Sequence, residues 1–353
     1  MIEIDILPAS TDAKGGDSVL IRIGTFSYDN KKNNQKVILI DSGYQENADR
    51  ITSYLSEHYQ TDTIDIAIIS HPDMDHISGF KKLLDDDVVK IKETFIHDPW
   101  SHAKTIYSKT RDGRRTINAI KNEFDESLKS LSEILDNVDN INTEPLGTGL
   151  ITEFDGVKLY LLGPSKEYYQ KLLYCFPGME GEIPYGDTDI YHKNEVDYSP
   201  HMPHFLENPV TSAKNSSSTI ILIHGKNDSP IALFTGDAGT EAIEEALKAA
   251  DYYNLSYKNV NLFQIPHHGS IKNISEHLIK RIQPIQTYVS APPNNPKHPS
   301  RLLLNYLDNN GFAVRHIKDI SGIRYSYEGA PSRPGWTTAT PFNRYRKVFR
   351  LKG

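Results

Sequence analysis

The chain has 353 residues and a net charge of −7, so a polyanionic partner must be met by a local basic patch or by bound cations rather than by bulk charge. Hydrophobic residues at 38% and aromatics at 10% suffice for the core of one large or two ordinary domains, and they exclude general disorder. A single cysteine, Cys175, excludes an intramolecular disulfide and a cysteine-rich zinc module.

In chain order, residues 2–7, 19–23 and 37–40 read as short β-strands separated by the turn-forming stretches 14–17 and 30–34. So little chain between them predicts antiparallel hairpins. The opening residues carry no basic leader, and no run approaches the roughly 20 apolar residues of a membrane span. A soluble, cytoplasmic protein is expected. Residues 48–59 follow a helical pattern through Ile51, Tyr54 and Leu55. The run IDIAII predicts a strand buried on both faces. After it come the loop SHPDMDHISG and a helix reaching Leu84. Residues 104–135 read as mostly helical and surface-exposed, and a strand returns near 157–162. The stretch 175–213, with PGMEGEIPYGDTD and His192, His201 and His204, matches no regular element; an insertion or lid is expected at about 166–214. Strands at 219–223, 231–234, 260–265 and 286–289 then alternate with helices at 239–250, 275–281 and 301–309, before two closing strands. This order predicts an α/β fold, two mixed sheets face to face with outer helices, an αββα sandwich. No linker is visible, so residues 1–330 are read as one domain and 331–353 as a basic tail.

The sharpest chemical signal is His71-Pro-Asp73-Met-Asp75-His76, directly after the buried strand. Residues i and i+2 of an extended segment point the same way, so His71 and Asp73 can reach one ion. A tightening of the loop turns Asp75 and His76 toward a neighbouring position. Asp75 also has an ordinary reading as the cap of a helix starting near Ile77. Imidazole and carboxylate suit zinc, manganese or iron, and no thiolate demands a softer ion. Two later segments place candidate ligands after apolar strands in the same way. In Thr235-Gly-Asp237-Ala-Gly239 the small neighbours allow close backbone approach to a bridging carboxylate, although such a turn alone is commonplace. In Pro266-His267-His268-Gly-Ser270 adjacent side chains ordinarily point apart, so one of the two histidines is expected to ligate.

This ordered set resembles the metallo-β-lactamase superfamily of hydrolases, with Asp73 replacing the second histidine of its HxHxDH motif. The combination of HxDxDHxxG, TGD and HHGS looks most like the hydrolase domain of competence-type (ComEC-like) DNA-uptake proteins. The opening LPAS…GDSVLI…ILIDSG and Asn294…His298-Pro299 fit the same subgroup. The resemblance covers residues 1 to about 328 apart from 100–215; the membrane channel of the uptake proteins is absent, so transport is not carried over. It implies two divalent ions, zinc or manganese. His71 and Asp73 match ligands of the first, Asp75 and His76 ligands of the second, Asp237 the bridge and His267 the last ligand of the second. A further histidine expected before the Asp237 strand is missing: the equivalent stretch is Lys214-Asn215-Ser-Ser-Ser-Thr219. Asn215 or a serine standing in would favour a harder ion such as manganese, or leave one site partly filled. His192, His201 or His204 could also supply that ligand, though a place in the lid is the first expectation. Asp41 is a candidate to orient a ligating imidazole. Asp75, His298 and His268 are the candidate catalytic residues.

Two ions about 3.5–4 Å apart can share a hydroxide at neutral pH and stabilise charge on an attacked phosphoryl or carbonyl group. Lys104, Lys109, Arg111, Arg114 and Arg115 form one basic stretch. Residues 331–353 carry six basic and no acidic residues, leaving −13 for the rest of the chain. Such polarity suits a phosphate-reading patch, with Trp336, Tyr345 and Phe349 available to stack on bases, although a solvated tail gives the same pattern. A metal-dependent phosphodiesterase or nuclease, with a phosphate-containing substrate such as nucleic acid or a nucleotide and no membrane, is the first reading. The second is a carboxyl-ester or lactone hydrolase, which Phe176, Met179 and Phe205 would line. The third is a regulatory or interaction module that keeps the fold, has little turnover and docks a protein partner.

Overall fold

Alternation along the strands decides how the layers stack. In strand Asn34–Ser42, Ile38 and Ile40 face one apolar cluster while Val37 and Leu39 face another, as the two-residue period of a strand requires. Strand Ser18–Thr25 divides likewise, Ile21 and Ile23 against Leu20. The first cluster lies between two sheets, where these isoleucines and Ile68 meet Leu159, Leu161, Ile221, Ile223 and Phe234. The second holds the helices against the outer faces. A computed structural model describes residues 1–9, 15–29, 33–86, 88–110, 116–138, 141–147, 149–176, 210–292, 295, 298–317 and 322–336.

Each main sheet has seven strands. From edge to edge the first runs Ile323–Tyr327, Ile2–Ile6, Ser18–Thr25, Asn34–Ser42, Ile66–Ile68, Thr94–Phe95 and Ile141–Thr143. The first four are mutually antiparallel and the rest add in parallel. The second runs Ala313–Ile317, Gln286–Ser290, Leu262–Gln264, Pro230–Phe234, Ile220–His224, Val157–Gly163 and Gly149–Phe154. Its first four strands are parallel, and the last three add antiparallel. This is the mixed α/β sandwich expected. Thr63–Ile64 departs from the continuous strand read at 64–69 and pairs with Lys90–Ile91 in a separate small sheet.

Outer helices cover both faces. Thr240–Tyr252 buries Ala242, Ile243, Ala246, Leu247 and Ala250, one stripe at helical spacing. Burying Ile243 or Leu247 contributes about 1.5–3 kcal/mol each relative to exposure. Helices Ala103–Thr110, Ile117–Ser127 and Lys129–Asn137 are not a surface layer as read from sequence: Ile106, Ile120, Phe124, Leu131 and Ile134 are buried in the core. Helix Lys166–Leu173 also sends Tyr168, Tyr169, Leu172 and Leu173 into that core. Of the span read as a lid, residues 177–209, with His192, His201 and His204, lie outside the described residues, as do Met179 and Phe205.

The start of the basic tail folds back onto the first sheet. Arg333 is buried and grips both carboxylate oxygens of Asp5, at 2.8 and 2.6 Å, while lying 3.0 Å from Glu3. Trp336 stacks on it with 4.6 Å from guanidinium carbon to ring centroid. Arg333 is therefore structural and takes no part in a phosphate-reading patch, and Trp336 packs against it. The remaining basic residues of the tail, with Tyr345 and Phe349, and Arg111, Arg114 and Arg115 lie outside the described residues. No helix among the described residues is long and apolar enough to cross a membrane.

Candidate metal centre

Parallel strands aim their carboxyl ends at one edge of each sheet, and the loops leaving those ends collect the motif residues. Strand Ile66–Ile68 leads to His71; Pro230–Phe234 leads to Asp237; Leu262–Gln264 leads to His267 and His268. Helix Met74–Asp85 starts one residue after Asp73, which occupies the N-cap in extended backbone, so Asp75 and His76 sit in the first turn and Asp75 is not the cap. The helix lies tightly against the end of strand Asn34–Ser42. The Ser42 hydroxyl donates to the His76 carbonyl at 3.0 Å and accepts from the Phe80 amide at 2.9 Å. Only glycine fits at 79, because a Cβ there would stand 2.5 Å from the Ser42 carbonyl oxygen.

The motif residues converge. The donor atoms of His71, His76 and Asp237 all lie within 4.8 Å of one another, as do those of Asp75, His76 and His268, and of Asp17, Asp237 and His268. Asp237 Oδ1 is 3.5 Å from His76 Nε2 and 4.0 Å from His268 Nε2. Its Oδ2 is 3.8 Å from His71 Nε2 and 3.5 Å from His267 Nε2. Asp73 Oδ2 is 3.6 Å from His71, and Asp75 Oδ2 is 3.2 Å from His268 and 3.9 Å from His76.

Every imidazole is held through Nδ1. His76 Nδ1 donates to Asp41 Oδ2 at 2.8 Å, and His268 Nδ1 donates to the Ser290 carbonyl at 2.9 Å. Ser70 gives its hydroxyl proton to Asp41 at 2.6 Å, so it accepts from His71 Nδ1 at 3.0 Å. Asn273 spends its amide protons on the Asp237 and Ala238 carbonyls, which leaves its oxygen to accept from His267 Nδ1 at 3.0 Å. With Nδ1 committed in this way, each Nε2 faces a carboxylate, that of His268 at 3.2 Å from Asp75 Oδ2. The Nε2 atoms of His71 and His76, with Asp237 Oδ1, are buried without a hydrogen-bond partner. At this range an Nε2 and a carboxylate need a proton or a cation between them. Metal-ligating histidines are oriented by just such Nδ1 partners, so the donor set fits divalent ions.

The field of the cluster is visible in its acids and bases. Burial opposes charge on His268, yet Asp237, Asp75 and Asp17 push its pKa up to about 9. Burial would raise Asp237, but the surrounding histidines hold it well below the ordinary carboxylate range. Burial is likewise overcome at Asp73 by His71 and Lys214, whose ammonium lies 3.1 Å from Asp73 Oδ1. Tyr44, beside the cluster, is pushed up to about 12 by burial and by Asp75, so its phenol stays protonated.

Among the other expected site residues, Asp41 is buried behind His76 and Ser70 with φ +53°. His298 stands beside the pair of histidines, its ring centroid 5.1 Å from that of His267 and 6.4 Å from that of His268. Asn215 accepts from the Ser212 hydroxyl at 2.8 Å, and its amide nitrogen lies 3.3 Å from the ring of His267. Asn294 lies outside the described residues. Sequence reasoning missed Asp17, Ser70, Gln264, Asn273 and Ser290. Gln264 holds the turn before Asp237, accepting from the amides of Thr235 and Gly236 at 2.9 and 3.0 Å while donating to Asp17 at 2.9 Å. The signal was a glutamine at the end of an apolar strand, a position that buries an amide only if it is fully bonded.

Residues 14–161 match the family model described as the metallo-beta-lactamase superfamily. That match includes the first motif and makes this part of the chain similar to a superfamily whose members are mostly hydrolytic metalloenzymes. Recombination protein 2 of Haemophilus influenzae is 28% identical over 171 residues, 47% of this chain but only 19% of that protein's length. Among solved structures, a diphosphatase from the PhnP family aligns with 93% of this chain and 98% of its own, at 11% identity and a TM-score of 0.41. The metallo-beta-lactamase fold protein YhfI from Bacillus subtilis aligns with 92% of this chain and 98% of its own, at 10% identity and a TM-score of 0.41.

Proposed function

We propose that the protein is a metal-dependent phosphodiesterase, with single-stranded nucleic acid or a nucleotide as the substrate class. The observation that carries the metal-dependent reading is the convergence of four Nδ1-anchored imidazoles on the two oxygens of Asp237. His71, Asp73, Asp75, His76, Asp237 and a histidine of the adjacent pair would hold two divalent ions. When bound, such ions lower the pKa of water and offset negative charge on the attacked group.

The chain's own residues supply the rest. Asp41 and Ser70 fix the rings of His76 and His71, and Gln264 fixes the turn that presents Asp237. Lys214 is 19% exposed at its side chain, so an ammonium stands at the edge of the cluster where a phosphate oxygen would approach. His298, whose ring stands beside that of His267, would give a proton to a leaving group. The phosphodiester choice draws support from Lys214, from the carboxylate-rich donor set and from the likeness to a protein named for recombination.

The test uses the purified chain with manganese and a panel of single-stranded DNA, RNA, cyclic dinucleotides and a bis-aryl phosphodiester. Hydrolysis of at least one, lost in Asp237→Ala, is the expected result. Turnover of a lactone or thioester with silence on every phosphodiester would overturn the substrate class.

A further inference from the structure

The histidine missing before the Asp237 strand leaves the first ion one ligand short, and the structure offers a replacement from an unexpected place. We infer that both histidines of His267-His268 are ligands, one for each ion, with His267 taking the vacant role at the first. This rests on the metal-dependent reading above and adds to it which residue completes which site.

Asp237 divides the donors. Its Oδ1 faces His76 and His268, and its Oδ2 faces His71 and His267. The carboxylates of the first motif sort the same way: Asp75 Oδ2 lies against His268 and His76, and Asp73 Oδ2 against His71, while the oxygens of Asp17, which also lies near Asp237 and His268, accept from Gln264 and Ser290. Lys214 occupies the other oxygen of Asp73, which keeps Oδ2 turned toward His71. On this assignment the first ion takes Nε2 of His71 and His267 with oxygens of Asp73 and Asp237, and the second takes Nε2 of His76 and His268 with oxygens of Asp75 and Asp237. Asn215 is not the substitute. Its oxygen receives the Ser212 hydroxyl, and its amide packs on the His267 ring.

Adjacent side chains diverge in an extended segment, and here the backbone is not extended. His267 and His268 have φ of +49° and +52°, a left-handed turn that coils both rings to one side. The His267 amide donates to the Gly236 carbonyl at 3.1 Å, which ties this turn to the one bearing Asp237. Asn273, fully buried, then sets the His267 ring with Nε2 inward. Such strain in two consecutive non-glycine residues persists only where the surroundings over-determine it. With no three-imidazole site, both positions suit a harder ion such as manganese.

Equilibrium dialysis against manganese, with elemental analysis and electron paramagnetic resonance, tests this without reference to activity. The expected result is two ions per chain with a spin-coupled signal for the wild type. His267→Ala and His268→Ala should each fall to one ion with an uncoupled signal, and Asn215→Ala should keep two. A second measurement needs no variant: metal should protect the part-exposed His267 of the wild type from diethyl pyrocarbonate, with exposed His277 reacting throughout as the reference. His267→Ala binding as many ions as the wild type, or His267 modified equally with and without metal, overturns the inference alone. A wild type that binds no manganese or zinc overturns the metal reading itself.

Discussion

Asp41 shows how much of the centre is carried by residues that touch no candidate ion. Its two oxygens take the His76 Nδ1–H, the Ser70 hydroxyl and the Ser70 amide, so one carboxylate orients two imidazoles. Asn tolerates the left-handed backbone at this position, so Asp41→Asn removes charge and acceptor capacity without a conformational penalty. Manganese affinity measured by titration calorimetry should fall about 10–100-fold, and the melting temperature of the metal-free protein should also drop, because the Asn amide would face buried donors. Asp41 was readable in the sequence as a carboxylate at a strand end. Asn273 was not, because its contact with His267 exists only once two turns have been brought together.

At the scale of elements, the helix behind the first motif is placed by Gly79. Ala would be favoured there by about 1 kcal/mol on helix propensity. The tertiary contact reverses the sign, since the added Cβ would meet the Ser42 carbonyl at 2.5 Å. Gly79→Ala should therefore lower the thermal midpoint and weaken metal binding together, because Asp75 and His76 ride on that first turn. Ile243→Ala on the outer helix is a contrasting case. It should cost about 2–5 kcal/mol in urea unfolding and leave the metal stoichiometry of the folded fraction unaltered. The principal strands and helices were legible from apolar periodicity. The short parallel strands Thr94–Phe95 and Ile141–Thr143 were not, because two or three residues carry no period and their pairing is decided by the sheet they join.

Across the whole molecule, charge placement separates structure from chemistry. Arg333 closes a buried group with Asp5 and Glu3. Arg333→Ala would leave buried Asp5 with only the Tyr59 hydroxyl, while Glu3 keeps Arg22 and Arg324, at a cost of about 3–5 kcal/mol in urea unfolding. It should not change affinity for a nucleic acid in the folded fraction. The metal-free protein should respond to pH through His268. Its pKa is raised from 6.5 in the unfolded chain to about 9, so its stabilising contribution is full below about 6.5 and is lost as pH rises through 9. An ion competes for the same Nε2. Metal binding at pH 7 should release protons into weakly buffered solution, and metal affinity should weaken as the pH falls.

Composition and pattern by themselves determined an acidic α/β chain with two sheets, and they marked three loops rich in imidazole and carboxylate. Those properties follow from local residue order: strand alternation, helical stripes and ligand types clustered after apolar runs. Only the tertiary structure decided how His267 and His268 are shared around Asp237, that Asn215 packs against a histidine, and that Arg333 is buried. Each of these depends on contacts between segments far apart in the chain, and on a left-handed turn at two ordinary histidines that no local preference would predict.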